Sequence, residues 1–488
     1  MTYQKFKELA GSYTAIPVTR RLLADTVTPV SLYLSLRKGA DCPFLLESVE
    51  GGEQLARYSF LGRDPYQVLR YDGEKVTLTR EGREEELNER YFDALKRLTS
   101  AHKEPDIPEL PSLTGGAVGF SSYDTVREVE HLPDTPPADV ELPEAIWAFY
   151  DEVIAFDHVK KQLVLIKTLF IDPDTDLEVA WAEADAALEK MEKYLNRSPE
   201  RRKPLHLDGS TLKSNVTREQ FSEMVERGKK YIYEGDIFQV VLSQRFELPF
   251  RGDRFMLYRA LRVVNPSPYL FYLDFGTFSL VGSSPEVLVR VQQGEARLLP
   301  IAGTRPRGKT REEDLLLEED LKADPKEVAE HVMLVDLGRN DLSRVCKPGT
   351  VTLERSQVIE RYSHVMHIVS DVKGQLSGKM SPVDALMQCF PAGTVSGAPK
   401  IRAMEIIDEL EPTKRGPYAG AVGYFDFSGN MDTCIAIRTM TATDDTIYIQ
   451  AGAGIVADSR PEREFEETRE KAGALIEALE VALSLSVD

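Results

Sequence analysis

In the first half of the chain, apolar and polar residues alternate over short runs. FLLESVE, VLRYDG, KVTLTRE and WAFYDEVIAFDH read as strands set between Gly, Asp and Pro punctuation. At Asp176 the period lengthens, and DLEVAWAEADAALEKMEKYLN predicts one amphipathic helix to Asn196. The next residues, RSPERRKPLHLDGSTLKS, hold Pro, Gly and Ser among basic residues with no apolar period, which is linker composition. This divides the chain into an N-terminal domain, 1–200, and a second domain, 211–488.

The second half opens on a helix with legible ends. Thr217 caps it, Gln220 stands at its third position, and Phe221, Val225 and Ile232 carry the apolar face to Gly235. Strands follow in IFQVVLSQRFEL, PYLFYLDFG, FSLVGS, VLVRVQQ, VMHIVSDVKG, AGAVGYFDF, DTCIAIRTMTA and TIYIQAGAG, with helices at 325–337, 399–410 and 461–484. Strand-turn-strand runs outnumber strand-helix-strand alternations, so the expectation is an α+β fold of mainly antiparallel sheets with helices packed outside. GGAVGF at 115–120 echoes GAVGYF at 420–425, too briefly for a repeat, and marks places where strands or helices approach closely.

With 488 residues, 42% hydrophobic and 29% charged, the chain has ample interior for two or three domain-sized units and is not disordered. Lys and Arg number 60 against 80 Asp and Glu, a formal charge of −20 that opposes polyanions and excludes nucleic acid as a partner. A small anionic substrate would need a locally positive pocket or a bound cation. The four cysteines form no CxxC pair, and no run of about 18 apolar residues or signal-peptide core occurs. The expectation is a soluble cytoplasmic protein with reduced thiols and no membrane association.

Several familiar chemistries leave no trace. There is no Walker-type loop, no G-x-S-x-G elbow and no HExxH helix. His364 and His367 are three apart in a strand-like run, on opposite faces, which argues against a shared metal. Gly452–Ala457 satisfies a dinucleotide fingerprint, but only 31 residues follow, nearly all one helix, so no second parallel strand can supply a ribose contact. What survives is a set of glycines freeing backbone N–H groups at a helix start, suited to a carboxylate or phosphate. Glu327 and Glu330 are three apart on the helix that starts at Asp324-Pro325, where Glu327 also suits a capping box. Glu464 and Glu467 repeat the spacing on the last helix, with Lys471 four residues after Glu467; a surface i,i+4 ion pair is the commoner account of such a pattern in an acidic helix. Carboxylates from two helices meeting over one site would make a hard-oxygen site suited to Mg2+.

LLES at 45–48, NPSPYL at 265–270, GSSPE at 282–286, PIAGTRPRG at 300–308, DPKEVAEHVMLVDLGRNDLSRV at 324–345, FPAGTVSGAPK at 390–400, RGPYAGAVGYF at 415–425 and IQAGAGIVADSRPEREFEETREKA at 449–472 together resemble the chorismate-utilising enzymes, specifically the large subunit (component I) of anthranilate synthase. The resemblance implies a four-layer αββα arrangement of two antiparallel sheets flanked by helices, with chorismate and Mg2+ in a cleft between them. It implies Glu330 and Glu467 as metal ligands, with Glu327 and Glu464 nearby or acting through water. Arg438 would hold a substrate carboxylate, for which a planar two-pronged donor is suited. Tyr418, Lys471 and the amides of Gly452, Ala453 and Gly454 would complete that grip, with Gly303, Thr304 and Thr394 against the ring.

The implied reaction is attack of ammonia on C2 of chorismate as the C4 hydroxyl leaves, then loss of pyruvate to give anthranilate, the first step of tryptophan biosynthesis. Glu286 is the candidate general acid, raised in pKa if buried, and His367 is assigned to the elimination; Thr394 is grouped with them. A core histidine and an exposed turn glutamate are the plain alternatives for these two. Gln239 stands where isochorismate and salicylate synthases use a lysine base, which disfavours hydration. Ala302 stands where aminodeoxychorismate synthases usually carry a nucleophilic lysine. No cysteine lies in a G-x-C-x-G turn, so a separate glutamine amidotransferase subunit is the implied ammonia donor, in a hetero-oligomer. Ser48, with Pro268, Tyr269 and Leu270, resembles the family's tryptophan feedback pocket, although LLES also reads as a buried strand. Three alternatives stay open: an enzyme that stops at aminodeoxyisochorismate, an aminodeoxychorismate synthase component, and a non-catalytic chorismate- or amino-acid-binding regulator.

Overall fold

The structure is a computed structural model that describes residues 1–48, 57–195, 197, 203–208, 212–362 and 365–485. Among these residues two large sheets form, and their strand pairs are antiparallel throughout. The first runs, from edge to edge, through Ala15–Leu23, Gln162–Phe170, Glu152–Asp157, Tyr58–Gly62, Phe44–Glu47, Tyr269–Asp274, Ser279–Ser284, Thr439–Ala442, Thr446–Ile455, Gln239–Arg251 and His206–Leu207. The second runs through Ile301–Pro306, Val365–Gln375, Glu295–Leu298, Val287–Gln292, Met431–Ile435, Ala421–Asp426, Gly116–Ser121, Ala145–Tyr150, Gln67–Tyr71, Val76–Arg80 and Arg83–Leu87. Of the junction placed at 200–211, residues 203–208 are described, and His206–Leu207 there pairs with Phe250 and Arg251 at the edge of the first sheet. On either side of it, strands of both segments share both sheets: Leu270 pairs with Glu47 in the first, and Gly423 with Gly119 in the second. The two echoed GAVG motifs are thus neighbouring strands.

The α+β expectation of stacked sheets and outer helices is met, but the strands are more buried than their alternation implied. Phe44, Val153, Ala155, Val164, Ile166, Phe271 and Leu273 of the first sheet face Val118, Phe120, Ile146, Ala148 and Val422 of the second in one core. Their immediate neighbours Leu45, Ile154, Leu163, Leu165, Leu270 and Tyr272 pack outward against Leu257, Leu261, Leu475 and Leu479 of flanking helices. A strand covered on both faces needs a continuous apolar run, which is why AIWAFY, Ala145–Tyr150, is buried at every position. Layering is therefore helix, sheet, sheet, helix.

Helix ends follow the sequence closely. Thr217 accepts from the Gln220 N–H, Gln220 returns the bond, and Gly235 closes the Arg218–Glu234 helix with a left-handed φ of 86°. Other elements differ. The helix read at 325–337 continues to Ser343, and Asp324 caps it by accepting from the N–H groups of Lys326 and Glu327. DTCIAIRTMTA is two strands, Met431–Ile435 in the second sheet and Thr439–Ala442 in the first, because the chain changes sheets at 436–438. A second change of sheet occurs at Pro285-Glu286, between Ser279–Ser284 and Val287–Gln292. The two crossovers lie side by side: the Ile435 N–H donates to the Glu286 carbonyl at 3.0 Å, and the Ser283 N–H to the Arg438 carbonyl at 3.1 Å.

Candidate active site

Those crossovers carry two of the site's charged groups. Glu286 is half-buried, and its Oε2 accepts from Thr394 Oγ1 at 3.0 Å. Burial pushes its carboxyl up, against the Thr394 hydrogen bond and the nearby Lys471 and Arg438 charges, which pull it down. Arg438 sits at a φ of 51°, a left-handed conformation that the sharp change of sheet imposes on a non-glycine residue. Its Nη1 donates to the Lys471 carbonyl, and burial lowers its pKa, opposed by Glu286 and Tyr418.

One wall comes from the edge of the second sheet. Gly303 takes a φ of 69° at a bulge between Ala302 and Thr304, a conformation that suits glycine, and a Cβ there would stand 3.2 Å from Glu327 Oε2. The Gly303 carbonyl, an acceptor only, lies 2.9 Å from His367 Nδ1, with Thr304 Oγ1 at 3.1 Å. That contact assigns the ring proton to Nδ1 and leaves Nε2 as an acceptor. Burial lowers the His367 pKa, helped by Arg438 and opposed by the Gly303 bond, so the imidazole is neutral at neutral pH. His364 lies outside the described residues.

The opposite wall is the strand Thr446–Ile455, where the structure corrects the glycine-loop reading. Gly452, Ala453 and Gly454 lie within the strand, paired with Ser243, Leu242 and Val241, and the following helix begins only at Pro461. The Gly452 carbonyl accepts from Lys471 Nζ at 3.0 Å, outside the ladder. In an antiparallel strand a residue's N–H and C=O point the same way, so the Gly452 and Gly454 amides face the open edge that Thr439–Ala442 leaves uncovered. A Cβ on Gly452 would meet the Tyr418 hydroxyl at 2.7 Å, and one on Gly454 would meet Gln239 Nε2 at 2.6 Å. Burial raises Tyr418 to about 12, so it is a neutral donor.

Two helices close the site. Pro325–Ser343 brings Lys326, Glu327 and Glu330, and Pro461–Ser484 brings Glu464, Glu467 and Lys471. They converge: Lys471 acts electrostatically on Glu330, and Lys326 acts on Glu464. Glu330 is half-buried; burial and then Glu327 raise its pKa, against the nearby Lys326, Gln239 and Lys471, which lower it. Burial and Glu467 raise Glu464, against the nearby Ser459, Lys326 and Lys471, which lower it. Lys471 Nζ pairs with Glu467 Oε1 at 2.8 Å. Glu327 closes no capping box but lies against Gly303 and Arg305, 3.5 Å from Arg305 Nη1. Among the described residues no three His, Cys, Asp or Glu side chains form a ready-made metal cage. The donors suit an ion that takes one carboxylate from each helix and the rest from water and substrate, as Mg2+ does.

The arrangement therefore has two poles. A cationic and amide-rich end holds Arg438, Tyr418, Gly452 and Gly454; a carboxylate-rich end holds Glu330, Glu464 and Glu467; Glu286, Thr394, Thr304 and His367 are the polar groups that accompany them. Lys326 lies within the 324–345 stretch, but the carboxylate spacing there did not single it out. Ser48, Pro268, Tyr269 and Leu270 lie elsewhere, lining one cavity of about 950 Å3 between the sheets. There Ser48 Oγ is buried without a hydrogen-bond partner among the described residues, and Tyr269 Oη joins Arg290 and Asp432 at 2.9 and 2.8 Å.

A family model described as chorismate binding enzyme matches residues 41–477, and the chain belongs to that family. Within it, the chain is 47% identical over 99% of its length to 98% of anthranilate synthase component 1 of Acetivibrio thermocellus. It is 44% identical, over 99% of this chain and 98% of the other, to the protein of that name in Aquifex aeolicus. Among solved structures, anthranilate synthase component I from Streptococcus pneumoniae superposes with a TM-score of 0.77 at 36% identity, covering 93% of this chain and 99% of that one. The menaquinone-specific isochorismate synthase MenF of Escherichia coli shares the fold, with a TM-score of 0.71 at 21% identity over 98% of each chain.

Proposed function

We propose that the chain is the chorismate-converting component of anthranilate synthase, acting at the first step of tryptophan biosynthesis. The two-pole site carries this reading, because chorismate is a dicarboxylate and an acidic protein must meet each negative group locally. One carboxylate lies against Arg438, Tyr418 and the Gly452 and Gly454 amides. The other faces the converging helices, where Glu330 and Glu467 would hold Mg2+, with Glu327 and Glu464 alongside. Bound there, the ion supplies the positive charge that lets a second carboxylate approach a cluster of glutamates.

The chain's own groups divide the proton work. Glu286, its pKa raised by burial and its carboxyl aimed by Thr394, donates to the C4 hydroxyl as ammonia bonds to C2 and water leaves. His367 Nε2 then takes the C2 proton as the enolpyruvyl group departs, giving pyruvate and an aromatic ring. Gln239, a neutral amide, cannot deprotonate water, which favours amination over hydration.

The name component 1 in relatives supports a second component, and we assign it the release of ammonia from glutamine. Here Cys42, Cys389 and Cys434 are all held well above the ordinary thiol range by burial, which is unsuited to a nucleophilic thiolate. The inter-sheet cavity is proposed as a tryptophan feedback site, with Ser48 Oγ as an unpartnered polar anchor between apolar walls. Purified chain with chorismate, Mg2+ and ammonium salt at high pH should form fluorescent anthranilate and free pyruvate, and EDTA should abolish both. Aminodeoxyisochorismate without pyruvate would replace this reading with the shorter reaction, and no turnover would overturn it.

A further inference from the structure

An ion pair buried behind the site lies outside the chemistry described so far. Arg415 and Glu411 have side chains only 1% and 3% exposed. Arg415 Nε and Nη2 donate to the two carboxylate oxygens at 2.9 and 2.6 Å, Nη2 also to the Val241 carbonyl at 2.7 Å, and Nη1 to the Val395 carbonyl at 2.7 Å. Glu411 Oε1 further accepts from the N–H and Oγ of Ser243, at 2.8 and 2.9 Å. The guanidinium lies over the rings of Tyr123 and Tyr418, 4.7 and 5.6 Å from their centroids.

Four of the five guanidinium N–H groups are thus accounted for inside the protein, which leaves Arg415 poorly suited to grip a substrate carboxylate as Arg438 is proposed to do. Burying such a pair carries a large desolvation penalty, and apolar replacements of similar volume are often as stable, so stability is weak grounds for its presence. Its partners give better grounds. Val395 ends the short turn Gly393–Val395 whose middle residue, Thr394, holds Glu286. Tyr418 is three residues from Arg415, and its hydroxyl abuts Gly452. Val241 and Ser243 belong to the strand that backs Gly452–Gly454. The rigid planar fork bonds Val395, Val241 and Glu411 at once, Glu411 carries the link on to Ser243, and the guanidinium lies over the Tyr418 ring, so one ion pair sets the spacing of these groups.

We propose that the Arg415–Glu411 pair is a positioning device for the amination site, setting Thr394 against Glu286 and Tyr418 against the strand at Gly452. This inference rests on the chorismate-aminating reading above. Its test is ammonia-dependent anthranilate formation across pH, at constant free ammonia, in Arg415→Lys and in the paired apolar variant Glu411→Leu with Arg415→Met. A lysine keeps the charge but cannot serve both backbone carbonyls and both carboxylate oxygens.

The expected result is a native thermal transition with kcat reduced on the order of 10- to 100-fold. The pH limb tied to Glu286 should move in the same direction as in Thr394→Val, and adding Thr394→Val to either variant should move it no further. A folded variant with the parent's kcat and pH profile would overturn the proposal. So would shifts that simply add to that of Thr394→Val. Failure of both variants to fold would reassign the pair to the fold itself. An unmodified chain that makes no anthranilate would instead refute the functional reading, so the two failures are told apart.

Discussion

Replacing Thr394 with valine removes the hydroxyl that donates to Glu286 Oε2 at 3.0 Å and keeps nearly the same side-chain shape. A hydrogen bond to an ionised group contributes about 1.5–3 kcal/mol. Glu286 is half-buried, so the lower figure applies, and at about 1.4 kcal/mol per pH unit it corresponds to a displacement of about one unit. The bond stabilises the carboxylate and lowers a pKa that burial has raised. Its loss therefore raises the pKa further, and the protonated acid persists to higher pH. Anthranilate fluorescence at saturating chorismate and fixed free ammonia should show the alkaline limb of kcat moving upward by about one unit, and Thr394→Ser should restore it. A limb that stays in place, or moves toward acid, would remove Glu286 from the role of proton donor.

Glu330→Gln or Glu467→Gln should lower turnover by about two orders of magnitude or more and weaken Mg2+ binding measured calorimetrically in the presence of chorismate, with the folded baseline unchanged. Ser48→Ala should relieve tryptophan inhibition at least several-fold while the uninhibited rate stays at the parent value; equal sensitivity in both proteins would place the inhibitor elsewhere. Glu104 lines the inter-sheet cavity with its carboxyl pushed up to about 8 by burial, and its Oε2 has no partner among the described residues. The unfolded chain loses that proton near pH 4.5, so this group's contribution to stability is greatest below 4.5 and declines, by a few kcal/mol at most, as pH rises toward 8. Glu104→Gln should therefore raise the thermal midpoint more at pH 8.5 than at pH 5, as read by scanning calorimetry.

Much of the local structure was legible because its causes are local. The Thr217–Gly235 signals and the Pro461 start need only neighbouring residues, and the helices they bound are as read. The Arg311–Ala323 helix went unread because leucines 315 and 316 stay exposed, which leaves no clean apolar face to detect. Pairings such as Leu270 with Glu47 depend on contacts more than 200 residues apart, which no local period records. The site shows the same division. The Glu327–Glu330 and Glu464–Glu467 spacings were visible, but that these helices converge was implied by family resemblance and not by spacing. Arg438 was named through the resemblance, but the bend that carries it lay hidden in an apparently continuous strand, since the change of sheet there comes from the second sheet's position and not from IAIRTM itself. Gly452–Gly454 carried a loop-like signature, yet their glycines serve close approach of Tyr418 and Gln239 to a strand.

The two adjoining crossovers have a consequence for control from a distance. Strands leading into them, Tyr269–Asp274 through its pairing with Ser279–Ser284 on one side and Val287–Gln292 with Met431–Ile435 on the other, also wall the inter-sheet cavity. Glu286 and Arg438 thus ride on a seam stitched between two plates. A guest that wedges those plates apart, or slides one over the other, would change the gap between acid and guanidinium.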